Sequence, residues 1–405
     1  MNILHLANWN STNIGNGALI YGTQRLLEED LSVKPTFVAE AWDDYTFKLK
    51  KFDESFVELV NQHDMLLVNG AVTMNAYRRS MHETGMRFNL PLELWKQIEK
   101  PIVFYGISYR CWPFQEYSNK DALKRAIEYA IANERIFFGV RNDGTKEWIA
   151  RTLGIESERI YEVPDPGLFV PSEDNKYPEL HLTRKNVLIA FNGEDAVHRF
   201  AGPFEKAIFR HARFLTSPAR LDKIVGRLGL YKKERRRIIR ELAFAVEAIA
   251  QEHDAQFVLV PHYLDDYGMI QEFIEIVQER IAHQRIVTTG LVSVPHTAYF
   301  YGRYAKADLA ISMRVHSMSP SIGLGIPVIP LVSQGRMRNF LTNAGLSSLS
   351  VDVATEGFGT ELVRRANELI ANPSKCTDAT RVSVARMRAQ ARDINMMVER
   401  IAGSV

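Results

Sequence analysis

Arg314 and His316 stand two residues apart at the end of an apolar run, with Ser312, Ser317 and Ser319 around them. A guanidinium is a fixed, two-pronged cation, and an imidazole changes charge near neutral pH. The run before them reads as a buried strand over 309–311, and the small residues from Ser317 read as the start of a helix. A helix amino terminus adds unpaired N–H groups and the positive end of a dipole. The junction therefore suits an anionic substrate held beside an acid/base group. A buried pair that only caps the next helix is the alternative for the same residues.

Other candidates follow strand ends in the same way. Arg336 and Arg338 come after the next apolar run, as anion ligands or as solvated surface cations. Asn13, Gly15 and Gly17 follow the first run, where glycines let backbone N–H groups approach a ligand and Asn13 and Asn16 can bind sugar hydroxyls. Their spacing does not match GxGxxG, so a dinucleotide fingerprint is not supported. Arg141 projects from a strand end, while Asp143 or Thr145 is expected to cap the following helix. Asp165, between Pro164 and Pro166, is either a turn former or a general base for an acceptor hydroxyl. Asn192, Glu194, Asp195, His198 and Arg199 follow one later strand, and His262 follows another, for binding or for packing. His262 lies near Asp265 and Asp266, but further ligands at suitable spacing are missing, so no metal site is expected.

These pieces carry a resemblance. Arg314-Val-His316, followed by Gly325-Ile-Pro327, resembles the Arg-x-His signature of the polysaccharide pyruvyl transferase family. Asn13-Ile-Gly15-Asn16 resembles its Asn-x-Gly-Asp loop, and Asn69-Gly70 the start of its Asn-Gly-Gly turn. Val140-Arg141-Asn-Asp143-Gly-Thr145 is similar to its Arg-Asp-x-x-Ser segment, and Asp165-Pro166 to its Asp-Pro element. Asn16 replaces the family's Asp, Ala71-Val72 replace further glycines, and Arg336 falls where the family places a lysine. The resemblance implies phosphoenolpyruvate as donor substrate and no cofactor. It further implies that Arg314 binds the donor's carboxylate or phosphate, while His316 holds an oxyanion or moves a proton.

The elements that must position these residues alternate in type. Strands are expected at 3–7, 65–68, 102–106, 136–140 and 160–163, with helices at 17–29, 53–62, 92–98, 120–133 and 145–153. A polar, proline-containing stretch at 171–185 reads as a linker. Strands at 187–191, 257–260, 286–288, 309–311 and 328–331 follow, with helices at 234–252, 269–282, 360–371 and 380–401. The fold class is α/β, with two Rossmann-like domains facing across a cleft, the GT-B arrangement that the resemblance also implies. Residues 1–178 form the expected acceptor domain, 179–385 the donor domain, and 386–405 a helix able to pack back on the first.

At 405 residues, 46% apolar and 24% charged, the chain has the composition of a soluble globular protein of two domains. Two distant cysteines, Cys111 and Cys376, fit a reduced, cytoplasmic compartment. The amino terminus reads as a strand, not a signal peptide, and no apolar window reaches the roughly 18 residues a membrane span needs. The net charge is +2, yet 199–240 holds thirteen Lys or Arg against three Asp or Glu, interleaved with Phe200, Phe204, Ile208, Phe209, Phe214, Leu215, Ile224, Leu228 and Leu230. That pattern fits an anionic membrane surface or a lipid-pyrophosphate acceptor, or a solvated helical face. No nucleic-acid motif accompanies it. The expected activity is transfer of pyruvate from phosphoenolpyruvate, as a ketal, onto a sugar of a bacterial surface polysaccharide or its lipid-linked precursor. A GT-B glycosyltransferase using a nucleotide sugar and a non-catalytic glycan-binding protein are the alternatives.

Overall fold

Apolar runs buried on both faces build two parallel sheets, as expected when helices cover each side. The computed structural model describes residues 1–70, 72–76, 81–211 and 218–403. Ala71, Phe214 and Leu215 lie outside these described residues. The chain divides into two compact units: Met1–Ser11 with Asn16–Val170 and Ala385–Val405, and Thr12–Gly15 with Pro171–Val384.

The first unit holds β1 (Asn2–Ala7), β2 (Thr36–Ala41), β3 (Met65–Asn69), β4 (Val72–Asn75), β5 (Ile102–Arg110), β6 (Ile136–Arg141) and β7 (Ile160–Val163). They run in the order β2-β1-β3-β5-β6-β7, with β4 pairing β5. Its core joins Ile3, Met65, Leu67, Val103, Tyr105, Phe137 and Val163 of the strands to Ile394 and Val398 of the last helix, Ser374–Gly403. Tyr105 Oη donates to Asn395 Oδ1 (2.8 Å), and Arg388 pairs with Asp30 (2.6 Å). The Thr145–Leu153 helix is bounded by left-handed glycines, Gly144 (φ 87°) and Gly154 (φ 68°). Gly144 is thus the cap, and neither Asp143 nor Thr145 serves as one. Asp143 instead accepts from the hydroxyls of Ser108 (2.6 Å) and Thr145 (2.5 Å).

The second unit holds β8 (Lys185–Ala190), β9 (Ala255–Leu259), β10 (Ile286–Thr288), β11 (Leu309–Ser312), β12 (Val328–Val332) and β13 (Val351–Asp352). Their order is β10-β9-β8-β11-β12-β13, which seats β11 in the interior of the sheet. One expected helix, 269–282, is two helices, Asp266–Ile276 and Glu279–Arg285. Val277 is extended and Gln278 non-helical (ψ 132°) between them, and Gln278 N donates to Glu247 Oε1 (2.7 Å).

Candidate active site

β11 is buried along its whole length and ends at Ser312. The Ser312 hydroxyl donates to the Arg314 carbonyl (2.8 Å), turning the chain so that Arg314, in extended conformation, precedes the Val315–Gly323 helix. The Arg314 fork then meets a buried carboxylate: Nε donates to Asp266 Oδ2 (3.0 Å) and NH2 to Oδ1 (2.5 Å). Nε also donates to the Phe191 carbonyl (3.0 Å), and NH1 lies 3.6 Å from Glu194 Oε2.

Asp266 accepts in addition from the backbone N–H groups of Gly193 (3.0 Å), His262 (2.9 Å) and Tyr263 (3.1 Å). One fully buried carboxylate thus ties together the segments that leave β8, β9 and β11, three neighbours in the sheet. Arg314, expected as the cation that receives an anionic substrate, is buried, and Asp266 balances its charge. Asn192 supports the same edge, donating to the Met313 carbonyl (3.2 Å).

His316 differs from its neighbours. It is half-buried, lies in the first turn of the helix with non-helical angles (φ −87°, ψ 18°), and its carbonyl accepts from Tyr301 Oη (2.6 Å). Thr12–Gly15 packs against it: a Cβ added to Gly15 would sit 2.9 Å from His316 Cβ and Nδ1. Gly15 therefore makes room for the imidazole, where a glycine opening the backbone to a ligand was expected. Gly15 N donates to Asn13 Oδ1 (3.1 Å), and Ile14 N to the His262 carbonyl (3.1 Å). The first helix starts at Ile14 and not at 17, so Gly15 and Gly17 lie inside its first turn. Asn16 donates to the Ser11 hydroxyl (2.9 Å).

His262 and Ser317, expected at a substrate, are interior. His262 Nε2 shares a 2.7 Å hydrogen bond with Tyr304 Oη, which shares one of 3.0 Å with Ser317 Oγ. Phe300, Tyr301 and Tyr304 surround the imidazole edge to face. Burial, then the nearby Arg314 charge, pushes its pKa well below the usual histidine value, so it stays neutral. No group of three or more His, Cys, Asp or Glu among the described residues could hold a metal ion.

Cations also gather at this sheet edge. Arg199 donates from Nε to the Glu194 carbonyl (3.0 Å) and from NH1 to the Ser333 hydroxyl (2.9 Å), linking the segments after β8 and β12. Arg336 lies half-buried in the first turn of the Gly335–Ala344 helix. Arg338 does not join them. It is an exposed residue paired with Asp352. Asp265 is a carboxyl at the same edge whose pKa is raised, by partial burial and then by Glu194 and Asp266.

In the first unit, Arg141 leaves β6 and places Nε 3.5 Å from Asp165 Oδ2, with both side chains buried. Its NH2 donates to the Gly106 carbonyl (3.3 Å). Asp165 caps the short Pro166–Phe169 turn by accepting from Gly167 N (2.8 Å). Zero exposure and these partners make Asp165 a turn former and counter-ion, against the expectation of a general base.

Asp266 in its hub role, together with Tyr301 and Tyr304, escaped the sequence reading. Pairings across 48 residues (Asp266 to Arg314) leave no local spacing signal.

Three solved structures share the fold at low identity. UDP-GlcNAc 2-epimerase from Neisseria meningitidis, bound to UDP-GlcNAc, is 10% identical over 98% of this chain and 99% of its own, with a TM-score of 0.52. Anabaena HepE in complex with UDP-glucose is 13% identical over 100% and 99%, with a TM-score of 0.50. The epimerase from Methanocaldococcus jannaschii is 10% identical over 92% of both chains, also at 0.50. The chain therefore has the α/β fold with two parallel sheets of these GT-B-type proteins. No curated protein matches the sequence. The family model for polysaccharide pyruvyl transferases matches residues 13–335, from the Asn13 loop to the start of the helix after β12. The chain belongs to the polysaccharide pyruvyl transferase family and is a transferase.

Proposed function

We propose that the donor is phosphoenolpyruvate and the product a pyruvate ketal on one sugar of a bacterial surface glycan or its lipid-linked precursor. The observation that carries this reading is His316: a half-buried imidazole at the carboxyl end of an interior strand, held by Tyr301 and packed against Gly15. Ligands of open α/β sheets collect at that edge.

In this scheme His316 gives a proton to the methylene carbon of the donor, making the adjacent carbon electrophilic. One sugar hydroxyl adds there and a second follows, while the bond to the phosphate oxygen breaks. Two hydroxyl protons are released. One restores His316 and the other leaves through a base, for which Asp265 is the candidate now that Asp165 is buried. Arg199 and Arg336 supply the cations for the donor's carboxylate and departing phosphate, because Arg314 is balanced by Asp266. Preorganised charge of this kind is a large term in catalysis. An acceptor still on its lipid pyrophosphate would bring the reaction to the inner face of the cell membrane.

The test is release of inorganic phosphate from phosphoenolpyruvate with a galactoside or mannoside acceptor, against a nucleotide-sugar control. Acceptor-dependent phosphate from phosphoenolpyruvate supports the proposal. Turnover of the nucleotide sugar alone would favour a glycosyltransferase, and glycan binding without any turnover a binding protein.

A further inference from the structure

The Pro218–Leu228 helix has two unlike faces. Leu221 and Val225 point inward and are buried, and Asp222 pairs with His198 (3.1 Å), so this helix is already seated on its unit. Arg220, Lys223, Ile224, Arg227 and Leu228 recur at three- and four-residue spacing and share the outward face. Ile224 is 43% exposed and Leu228 56%, which wastes apolar surface unless something covers it. Phe204 (63%) and Leu230 (44%), on the flanking segments, are exposed in the same way.

The charges sort with the faces. On the next helix, Tyr231–Glu252, Arg235 pairs with Glu272 and Arg237 with Glu234 and Glu241. Lys223, Arg227, Lys232, Lys233 and Arg236 are exposed and have no acidic partner among the described residues. A second copy of this face would meet like charge with like. A surface presenting both negative headgroups and hydrocarbon satisfies the cations and the apolar side chains together.

We propose that this outward face, Lys223, Ile224, Arg227 and Leu228 with Phe204 and Leu230, docks the protein on an anionic lipid bilayer. The contact is interfacial, since no helix among the described residues is long and apolar enough to cross a membrane. It goes beyond pyruvyl transfer and is measured without substrate.

The experiment is co-sedimentation of the full chain with vesicles of phosphatidylglycerol and phosphatidylcholine, or of phosphatidylcholine alone, at low and high salt. Binding to the anionic vesicles only, weakened by salt, is expected. Lys223→Gln with Arg227→Gln should lower the partition coefficient roughly thirtyfold. Ile224→Ser with Leu228→Ser should remove binding while the thermal midpoint stays at the wild-type value, since both sites are exposed. Equal binding to neutral vesicles, or wild-type binding by the serine variant, overturns the proposal. So does single-stranded RNA that binds the serine variant and the wild type alike while vesicles bind neither. Phosphate release with a soluble acceptor is untouched by any of these results, so the two readings fail separately.

Discussion

Asp266 accepts two hydrogen bonds from Arg314 and three from backbone amides, all in the interior. Removing one member of a buried ion pair leaves the other uncompensated, at about 3–5 kcal/mol. Asp266→Ala should destabilise the second unit by that amount, read from urea unfolding. A loss below about 1 kcal/mol would show that the carboxylate is not the tie described. Gly15→Ala should lower both rate and stability, because the added methyl meets the His316 Cβ as well as its ring, and that Cβ cannot move without its backbone. His316→Ala should abolish turnover with the fold intact. Circular dichroism and phosphate release, measured together, separate the two effects. His5 and His262 make a further prediction. Burial lowers the His5 pKa to about 3 and that of His262 well below its ordinary value. Below about pH 6.5 the unfolded chain binds protons that the folded one refuses, so stability falls as pH falls, by about 1.4 kcal/mol per unit for each group. The window for His5 closes near pH 3. His5→Gln, if it folds, should flatten the acid limb of the first unit's unfolding curve, and an unchanged limb would contradict this.

Elements show where the sequence is legible and where it is not. β1, β3, β5, β6, β8, β11 and β12 are apolar runs buried on both faces, so pattern alone locates them to within a few residues. β2, Thr-Phe-Val-Ala-Glu-Ala, is an edge strand with Thr36, Val38 and Ala39 exposed, and nothing in its polarity marks it as a strand. The break at Val277–Gln278 depends on Glu247, thirty-one residues away, and no local rule contains that. Packing between elements is equally hidden. The Ile14–Asp30 helix approaches the Pro166–Phe169 turn so closely that a Cβ on Gly22 would fall 2.0 Å from the Pro166 carbonyl oxygen. Since backbone cannot yield as a side chain does, Gly22→Ala should cost about 3 kcal/mol, lowering the thermal midpoint of the first unit. A midpoint equal to wild type would mean that the helix and turn are not in this contact.

On the scale of the whole molecule, the sequence indicates the α/β class and the strand end that carries His316, because both follow from runs and neighbours. It does not indicate that Arg314 is neutralised or that Asp165 is buried, because both depend on partners distant in the chain. Family membership makes the chain a transferase and supports pyruvyl transfer, with phosphoenolpyruvate and the sugar acceptor as the proposed substrates. The most direct measurement is mass spectrometry of a galactoside or mannoside acceptor after incubation with phosphoenolpyruvate and the full chain. An acceptor heavier by pyruvate less one water is expected from the wild type and absent with His316→Ala. An unchanged acceptor beside one that gains a hexose from a nucleotide sugar would contradict that expectation.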